Sequence, residues 1–171
     1  VPAGEQGRFV TCFWTDPETG AMSVFDAPRG GQWDQPPAFE SGAGGLVSTI
    51  DDYHAFAKML MNEGAIGRER LMSAALIQAM TRNQLTPQQQ LDGKAFLEGN
   101  GWGYCLGVAT KADGVATVPG QYGWNGGLGS VWRSDPSKKF IGILLTNAAF
   151  TSPDPPAVVE DFWNFGWRAA V

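Results

Sequence analysis

From Gly101 onward the chain leaves itself almost no freedom of topology. Four β-prone runs, residues 102–108, 115–118, 127–133 and 140–147, are punctuated by Asp113-Gly114, Pro119-Gly120 and Asp135-Pro136-Ser137-Lys138-Lys139. All three separators have turn chemistry: Pro presets φ, Asp accepts from nearby amides, and Gly supplies positive φ. A parallel crossover needs a dozen residues or more, so connections this short join antiparallel neighbours. The last run, Phe140-Ile141-Gly142-Ile143-Leu144-Leu145, is apolar at successive positions. That pattern predicts a strand covered on both faces.

The residues before this meander predict a hairpin and helices. Runs 9–14 and 21–25 flank Asp16-Pro17-Glu18-Thr19-Gly20, a hairpin connection. Residues 27–45 are rich in Pro and Gly and read as an irregular crossing of the surface. A helix then starts at Ser48 or Thr49, with a hydroxyl cap and with Asp51 and Asp52 at the positive end of the dipole. Ile50, Tyr53, Ala57, Leu60 and Met61 recur at helical spacing, and Gly64 suits a left-handed cap. A second helix over 73–82 places Ile77 and Met80 on one face, and the polar stretch 84–100 reads as a loop. Asp154-Pro155-Pro156 predicts an acceptor-capped final helix whose stripe is Val158, Phe162, Phe165 and Ala169. The fold class is α+β, an antiparallel β-meander packed by helices.

Composition removes several functions. A chain of 171 residues with 43% apolar and 17% charged residues can bury a core, as one domain or a large piece of one. Its net charge is -5 and its cations are scattered apart from Lys138-Lys139, so no stripe could neutralise a run of phosphates. Nucleic acid is therefore not an expected partner. No apolar run approaches the roughly 20 residues of a membrane span. His54 is the only histidine and Cys12 and Cys105 lie far apart, so no metal site or other cofactor is expected. The two cysteines are either buried thiols or a disulfide. The start at Val1, with neither initiator Met nor signal segment, reads as the inside of a longer polypeptide.

A serine census decides what the chain can catalyse. Serines stand at 23, 41, 48, 73, 130, 134, 137 and 152, and three residues beyond them lie Asp26, Gly44, Asp51, Leu76, Arg133, Ser137, Phe140 and Pro155. No Ser-x-x-Lys exists, and no serine sits in Gly-x-Ser-x-Gly. A Ser-His-Asp triad would have to use His54, which reads as an ordinary helix-surface or core-edge histidine. These 171 residues carry no activated nucleophile.

Five short motifs nevertheless follow one another in a specific order. They are Gly44-Gly45-Leu46-x-Ser48-Thr49-x-x-Asp52, then Trp102-Gly103-Tyr104-x-Leu106-Gly107, then Gly123-Trp124-Asn125-Gly126-Gly127, then Asp135-Pro136 and the apolar strand. The order resembles the β-lactamase-like superfamily, which includes class C β-lactamases, penicillin-binding peptidases and related esterases. The similarity runs roughly from Phe9 to Trp167. It implies a partial β-lactamase/transpeptidase-like fold, residues 1–171 being the C-terminal portion of a single domain whose N-terminal half carries Ser-x-x-Lys. It also implies acyl transfer through a serine ester. The family's Tyr-x-Asn form is absent, since Tyr53, Tyr104 and Tyr122 are followed two residues on by Ala55, Leu106 and Trp124.

The family's third motif, usually Lys/His-x-Gly, falls by resemblance on Trp124-Asn125-Gly126, so these three are the expected substrate-binding residues. Gly127 is the expected catalytic contributor, lending its backbone N–H to the oxyanion hole. Trp124 stands where a cation is common and offers an aromatic wall with one N–H donor instead. Relatives of that kind look more like esterases or acyl transferases than efficient β-lactamases.

The leading expectation is an active serine esterase or transacylase of which this chain alone is inactive, its partners a small ester or amide substrate and the missing N-terminal half. A β-lactamase or penicillin-binding peptidase is the alternative enzyme, and a non-catalytic binding or scaffold relative the alternative class. The resemblance is compatible with a cell-envelope or secreted setting. In the resembled fold the 140–147 strand pairs with a strand of the N-terminal half, so self-association through that edge is expected of the chain by itself.

Overall fold

The computed structural model describes residues 4–98, 100–114 and 116–170. A hairpin of β1 (Cys12–Thr15) and β2 (Met22–Asp26) opens the chain. Asp16 turns it, accepting from the N–H groups of Glu18 and Thr19 at 2.8 and 2.9 Å. The 27–49 crossing is irregular and leads into α1 (Ile50–Met61). Thr49 caps α1 by accepting from the Asp52 N–H at 3.2 Å, and Gly64 follows its end at φ +90°, donating to the Met59 carbonyl at 2.9 Å. A small hairpin, β3 (Ala65–Ile66) and β4 (Glu69–Arg70), precedes α2 (Ala74–Met80).

The main sheet has five antiparallel strands in sequence order. They are β5 (Gly101–Trp102), β6 (Gly107–Val108), β7 (Tyr122–Gly126), β8 (Ser130–Asp135) and β9 (Phe140–Leu145). The final helix is α5 (Ala157–Ala169). Alternation along the strands divides the core in two. On one face Tyr122, Trp132, Ile141 and Ile143 meet Ala57 and Leu60 of α1. On the other, Val131, Phe140 and Leu144 meet Val159 and Trp163 of α5. β9 is thus covered on both faces, as its unbroken apolar run predicts. Gly142 lets α5 come close: a Cβ there would stand 2.8 Å from the Trp163 ring. Residues 147–149 run on beside β1, where Phe13 donates to the Asn147 carbonyl at 2.8 Å and accepts from Ala149 at 2.7 Å.

Several expectations need correction. The 84–100 stretch contains α3 (Pro87–Asp92) and α4 (Lys94–Leu97) rather than a plain loop. A reciprocal box starts α3, with Thr86 Oγ1 accepting from the Gln89 N–H and Gln89 Oε1 accepting from the Thr86 N–H. The 102–108 run is two short strands, because Cys105 takes φ +64° and Gly103 donates to the Leu106 carbonyl in a tight turn. Over 115–118 the only pairing among the described residues is an isolated bridge from Thr117 to Asp113; Val115 lies outside them. The third and fourth runs settle at 130–135 and 140–145.

On α5 the buried residues are Val159 and Trp163, while Val158 and Phe165 remain 50% and 69% exposed. The α5 N-cap is Pro156 and makes no side-chain cap bond, so Asp154 does not cap the helix. Cys12 and Cys105 are free thiols, and burial pushes the Cys12 pKa up. No helix among the described residues is long and apolar enough to cross a membrane, and none of their His, Cys, Asp and Glu side chains cluster as a metal site.

Candidate active site

The β7–β8 hairpin holds the third motif. Trp124 pairs with Trp132, Asn125 with Val131 and Gly126 with Ser130. The turn at 127–129 is fastened to the chain leaving β9. Gly129 donates to the Gly126 carbonyl at 3.0 Å, and its own carbonyl accepts from the Thr146 N–H at 2.9 Å and the Thr146 hydroxyl at 3.0 Å. Gly129 is at φ +89°, and a Cβ on it would lie 2.2 Å from Thr146 Oγ1, so only glycine fits. The Phe150 N–H donates to the Gly127 carbonyl at 2.7 Å. That bond fixes the orientation of the peptide that follows Gly127. Among the described residues the N–H of Gly127 itself has no backbone acceptor.

Trp124 is the third residue of β7 and is 41% exposed. Its ring centroid is 5.1 Å from Phe96 and 4.7 Å from Trp102, the latter edge-on at 82°. Trp102 is held in turn by its N–H to Asn83 Oδ1 at 3.1 Å and by its carbonyl, which accepts from Gln84 at 2.8 Å. Gly107 lies beneath Trp124: a Cβ there would be 3.2 Å from the indole, so the ring would have to give by a few tenths of an ångström to admit a side chain. The three rings form an aromatic wall, favourable by about 0.5–1.5 kcal/mol per pair beyond burial.

The wall borders an open cleft of about 410 Å3, lined by Phe96, Trp124, Asn125, Gly127, Arg133 and Phe150 among others. Three of the four expected site residues, Trp124, Asn125 and Gly127, therefore line one concavity, and Gly126 stands between them in the strand. Phe96 and Arg133 were not expected there. Phe96 lies on α4, in the stretch read as a loop, and the Thr86-Pro87 start with Gln89 was the signal that helices occur in it. His54 is exposed on α1, in keeping with its bland reading.

Beneath the cleft sits a buried polar network. Gln121 donates to the Ala116 carbonyl at 2.8 Å and to Asp135 Oδ2 at 2.9 Å. Trp167 Nε1 donates to the same oxygen at 2.7 Å, and the Ser137 N–H and hydroxyl donate to Oδ1 at 2.9 and 2.6 Å. Burial pushes the Asp135 pKa up, but the donors on Ser137, Gln121 and Trp167 outweigh it and hold the carboxyl below the ordinary aspartate range. This network locks β8 to α5 and so holds the floor of the cleft in place.

Fold and motif order define a β-lactamase-like scaffold. The chain belongs to the Beta-lactamase family, whose model matches residues 2–158. Protein Rv1367c of Mycobacterium tuberculosis (strain ATCC 25618 / H37Rv) is 34% identical over 120 residues, which are 64% of this chain and 29% of that protein. The LovD6 mutant of simvastatin synthase (LovD) from Aspergillus terreus superposes with a TM-score of 0.79 at 14% identity, over 99% of this chain and 44% of that one. EstCE1, a hydrolase with promiscuous acyltransferase activity, gives 0.65 at 22% identity, over 94% and 42%. At these identities the structural matches speak for the fold. The chain spans less than half the length of each of these proteins.

Proposed function

We propose that the chain is the C-terminal, cleft-lining part of a serine hydrolase that works by acyl transfer on small esters or amides. The observation that carries the reading is the clamped β7–β8 turn, in which Gly127, whose N–H has no backbone acceptor among the described residues, lines the same cleft as Trp124. A fixed donor of this kind stabilises the tetrahedral oxyanion without reorganising, and losing one typically costs about 2.7–4 kcal/mol. Trp124, Asn125 and Gly126 line the substrate's approach. The nucleophile is a Ser-x-x-Lys serine outside these 171 residues, since none of the eight serines here has that spacing. An aromatic ring in place of a cation at position 124 favours an esterase or transacylase over a β-lactamase or penicillin-binding peptidase. The similarity to LovD and EstCE1, the first named a synthase and the second a hydrolase with acyltransferase activity, supports the same preference.

In a polypeptide that joins this chain to such a serine, Trp124→Ala is expected to lower kcat/KM for p-nitrophenyl esters at least about tenfold, roughly 1.4 kcal/mol of transition-state binding. The fold should persist by circular dichroism, with stability lower by the two ring pairs lost, about 1–3 kcal/mol, so the kinetics are compared well below the unfolding transition. Unchanged steady-state kinetics would remove Trp124 from the site.

The same reading accounts for surface left open. β9 is an edge of the five-stranded sheet, and no described strand pairs with its outer side. Val158 and Phe165 of α5, the helix that packs on β9, are exposed. We infer that the N-terminal half of the same protein covers both features, and that a second copy does so when that half is missing. Unpaired strand edges template such pairing, and each Å2 of apolar surface removed from water adds roughly 25 cal/mol. Light scattering over a concentration series should show the mass of the 171-residue chain rising. A monomer at every concentration would contradict the inference.

A further inference from the structure

The turn that carries Gly127 has almost no stiffness of its own. Gly126-Gly127-Leu128-Gly129 holds three glycines in four residues, and glycine takes φ on either side of zero with no Cβ to limit it. Its order must therefore come from atoms outside it. Gly129, at φ +89°, donates to the Gly126 carbonyl at 3.0 Å, which draws that oxygen into the turn. A trans peptide carries its N–H opposite its carbonyl, so the Gly127 N–H faces out of the turn for as long as this bond lasts. Gly129 is held in turn by Thr146, on the chain leaving β9. The Thr146 N–H and hydroxyl both donate to the Gly129 carbonyl, at 2.9 and 3.0 Å, and so occupy both lone pairs of that oxygen. The other carbonyl the hydroxyl meets, that of Ala148, is farther at 3.4 Å. The second tether, from the Phe150 N–H to the Gly127 carbonyl at 2.7 Å, is a main-chain bond and does not depend on the side chain at 150.

We propose that Thr146 is the positioning residue of the oxyanion donor: its hydroxyl, acting through Gly129 and Gly126, fixes the direction of the Gly127 N–H. Thr146 itself touches neither substrate nor reacting atoms. A donor stabilises a transition state best when nothing has to be ordered at the moment of reaction. A glycine-rich turn is the hardest place to meet that condition, since glycine loses more conformational freedom on ordering than any other residue. Threonine suits position 146 on two counts. Its hydroxyl reaches the carbonyl, and branching at Cβ restricts χ1, so the hydroxyl is aimed before the turn settles on it. The catalytic consequence rests on the acyl-transfer reading of the cleft, whereas the ordering of the turn stands without it.

Two measurements test this role. In the 171-residue chain, NMR relaxation at the Gly127 amide should give an order parameter near the rigid-backbone value of about 0.85. Thr146→Val keeps the shape and removes the hydroxyl, and should lower that value below about 0.6 while residues 140–145 stay rigid. Thr146→Ser should restore it. The second measurement uses a polypeptide that joins the chain to a Ser-x-x-Lys serine, with active sites counted by fluorophosphonate titration. Losing an oxyanion donor outright typically lowers kcat about 100–1,000-fold, so a donor that is loosened but present should lose about tenfold. Thr146→Val should show that loss in kcat for p-nitrophenyl esters with KM changed less than about twofold, and Thr146→Ser should recover most of it. A Gly127 amide already mobile in the unsubstituted chain would overturn the proposal even if Thr146→Val failed to fold. So would a Thr146→Val chain whose Gly127 amide stays rigid. Hydroxyl-dependent order at Gly127 in a polypeptide that turns over no ester would leave Thr146 in its role and sink the acyl-transfer reading. Ester turnover whose kcat is indifferent to Thr146→Val would do the reverse.

Discussion

Gly123→Ala should be among the most damaging single-methyl changes the chain can suffer, costing about 3 kcal/mol or more. A Cβ at Gly123 would lie 2.1 Å from the Trp132 carbonyl oxygen and 2.7 Å from the Arg133 Cα. Both are backbone atoms of the neighbouring strand, so no rotamer change relieves the overlap. β7 and β8 must separate, at the hairpin on which both core clusters and the Trp124–Gly127 turn depend. Overpacking typically costs 1–3 kcal/mol, and a clash with backbone belongs at or beyond the top of that range. For a chain of this length each kcal/mol lowers Tm by roughly 2–4 °C. Thermal and urea unfolding should therefore show a fall of about 6–12 °C and a matching loss of midpoint. Gly127→Ala is the control, because a Cβ there meets nothing within 4 Å, and its stability should be nearly unchanged. Equal stability of the two variants would mean that the β7–β8 contact is not as close as described.

Removing the Asp135 carboxylate should be nearly as costly and should carry a pH signature. Asp135→Ala leaves Trp167 Nε1 and one proton of Gln121 without their acceptor, and it frees the Ser137 turn. An unsatisfied buried donor costs about 1–3 kcal/mol, so a total near 3 kcal/mol is expected. Trp167 also stacks under the Lys138 ammonium, 3.4 Å from its centroid, and would lose its fixed position. Asp135→Asn keeps one acceptor oxygen and loses the charge. Because the folded pKa is depressed, the carboxylate's stabilisation is present above the unfolded value of about 3.9 and is lost as pH falls through the folded value. The stability gap between the unsubstituted chain and Asp135→Asn should thus be full near neutrality and close in acid. A gap that stays constant throughout the acid range would show that the charge of Asp135 contributes nothing.

How far these features were legible depended on whether local chemistry or tertiary packing decided them. Turn residues fixed the antiparallel meander, because Asp135-Pro136 and its neighbours leave no chain for a crossover. The unbroken apolar run of β9 was readable as a doubly covered strand for the same local reason. Thr49 and Gly64 marked both ends of α1 through backbone hydrogen bonding that needs no tertiary context. α3 escaped because Pro87-Gln88-Gln89-Gln90-Leu91-Asp92 has no apolar periodicity, so its capping box was the only signal. On α5 the sequence is apolar on most sides, and two stripes fit helical spacing. The sheet selected Val159 and Trp163, since the large indole fills the gap above Gly142. At the site, Trp124 to Gly127 were visible only through their order among other motifs. Arg133 was invisible, because nothing local distinguishes a cation on a core strand from one on a surface strand until its neighbours are placed.

The central claim is that this chain lines an acyl-transfer cleft and borrows its nucleophile. Covalent capture by a fluorophosphonate probe, read by mass spectrometry, tests it most directly. No labelling of the 171-residue chain is expected. A longer polypeptide in which the chain is joined to that motif should label stoichiometrically at the Ser-x-x-Lys serine and hydrolyse p-nitrophenyl esters. Stoichiometric labelling of any of the eight serines in this chain, or a longer polypeptide that carries the motif and neither labels nor hydrolyses, would contradict that claim.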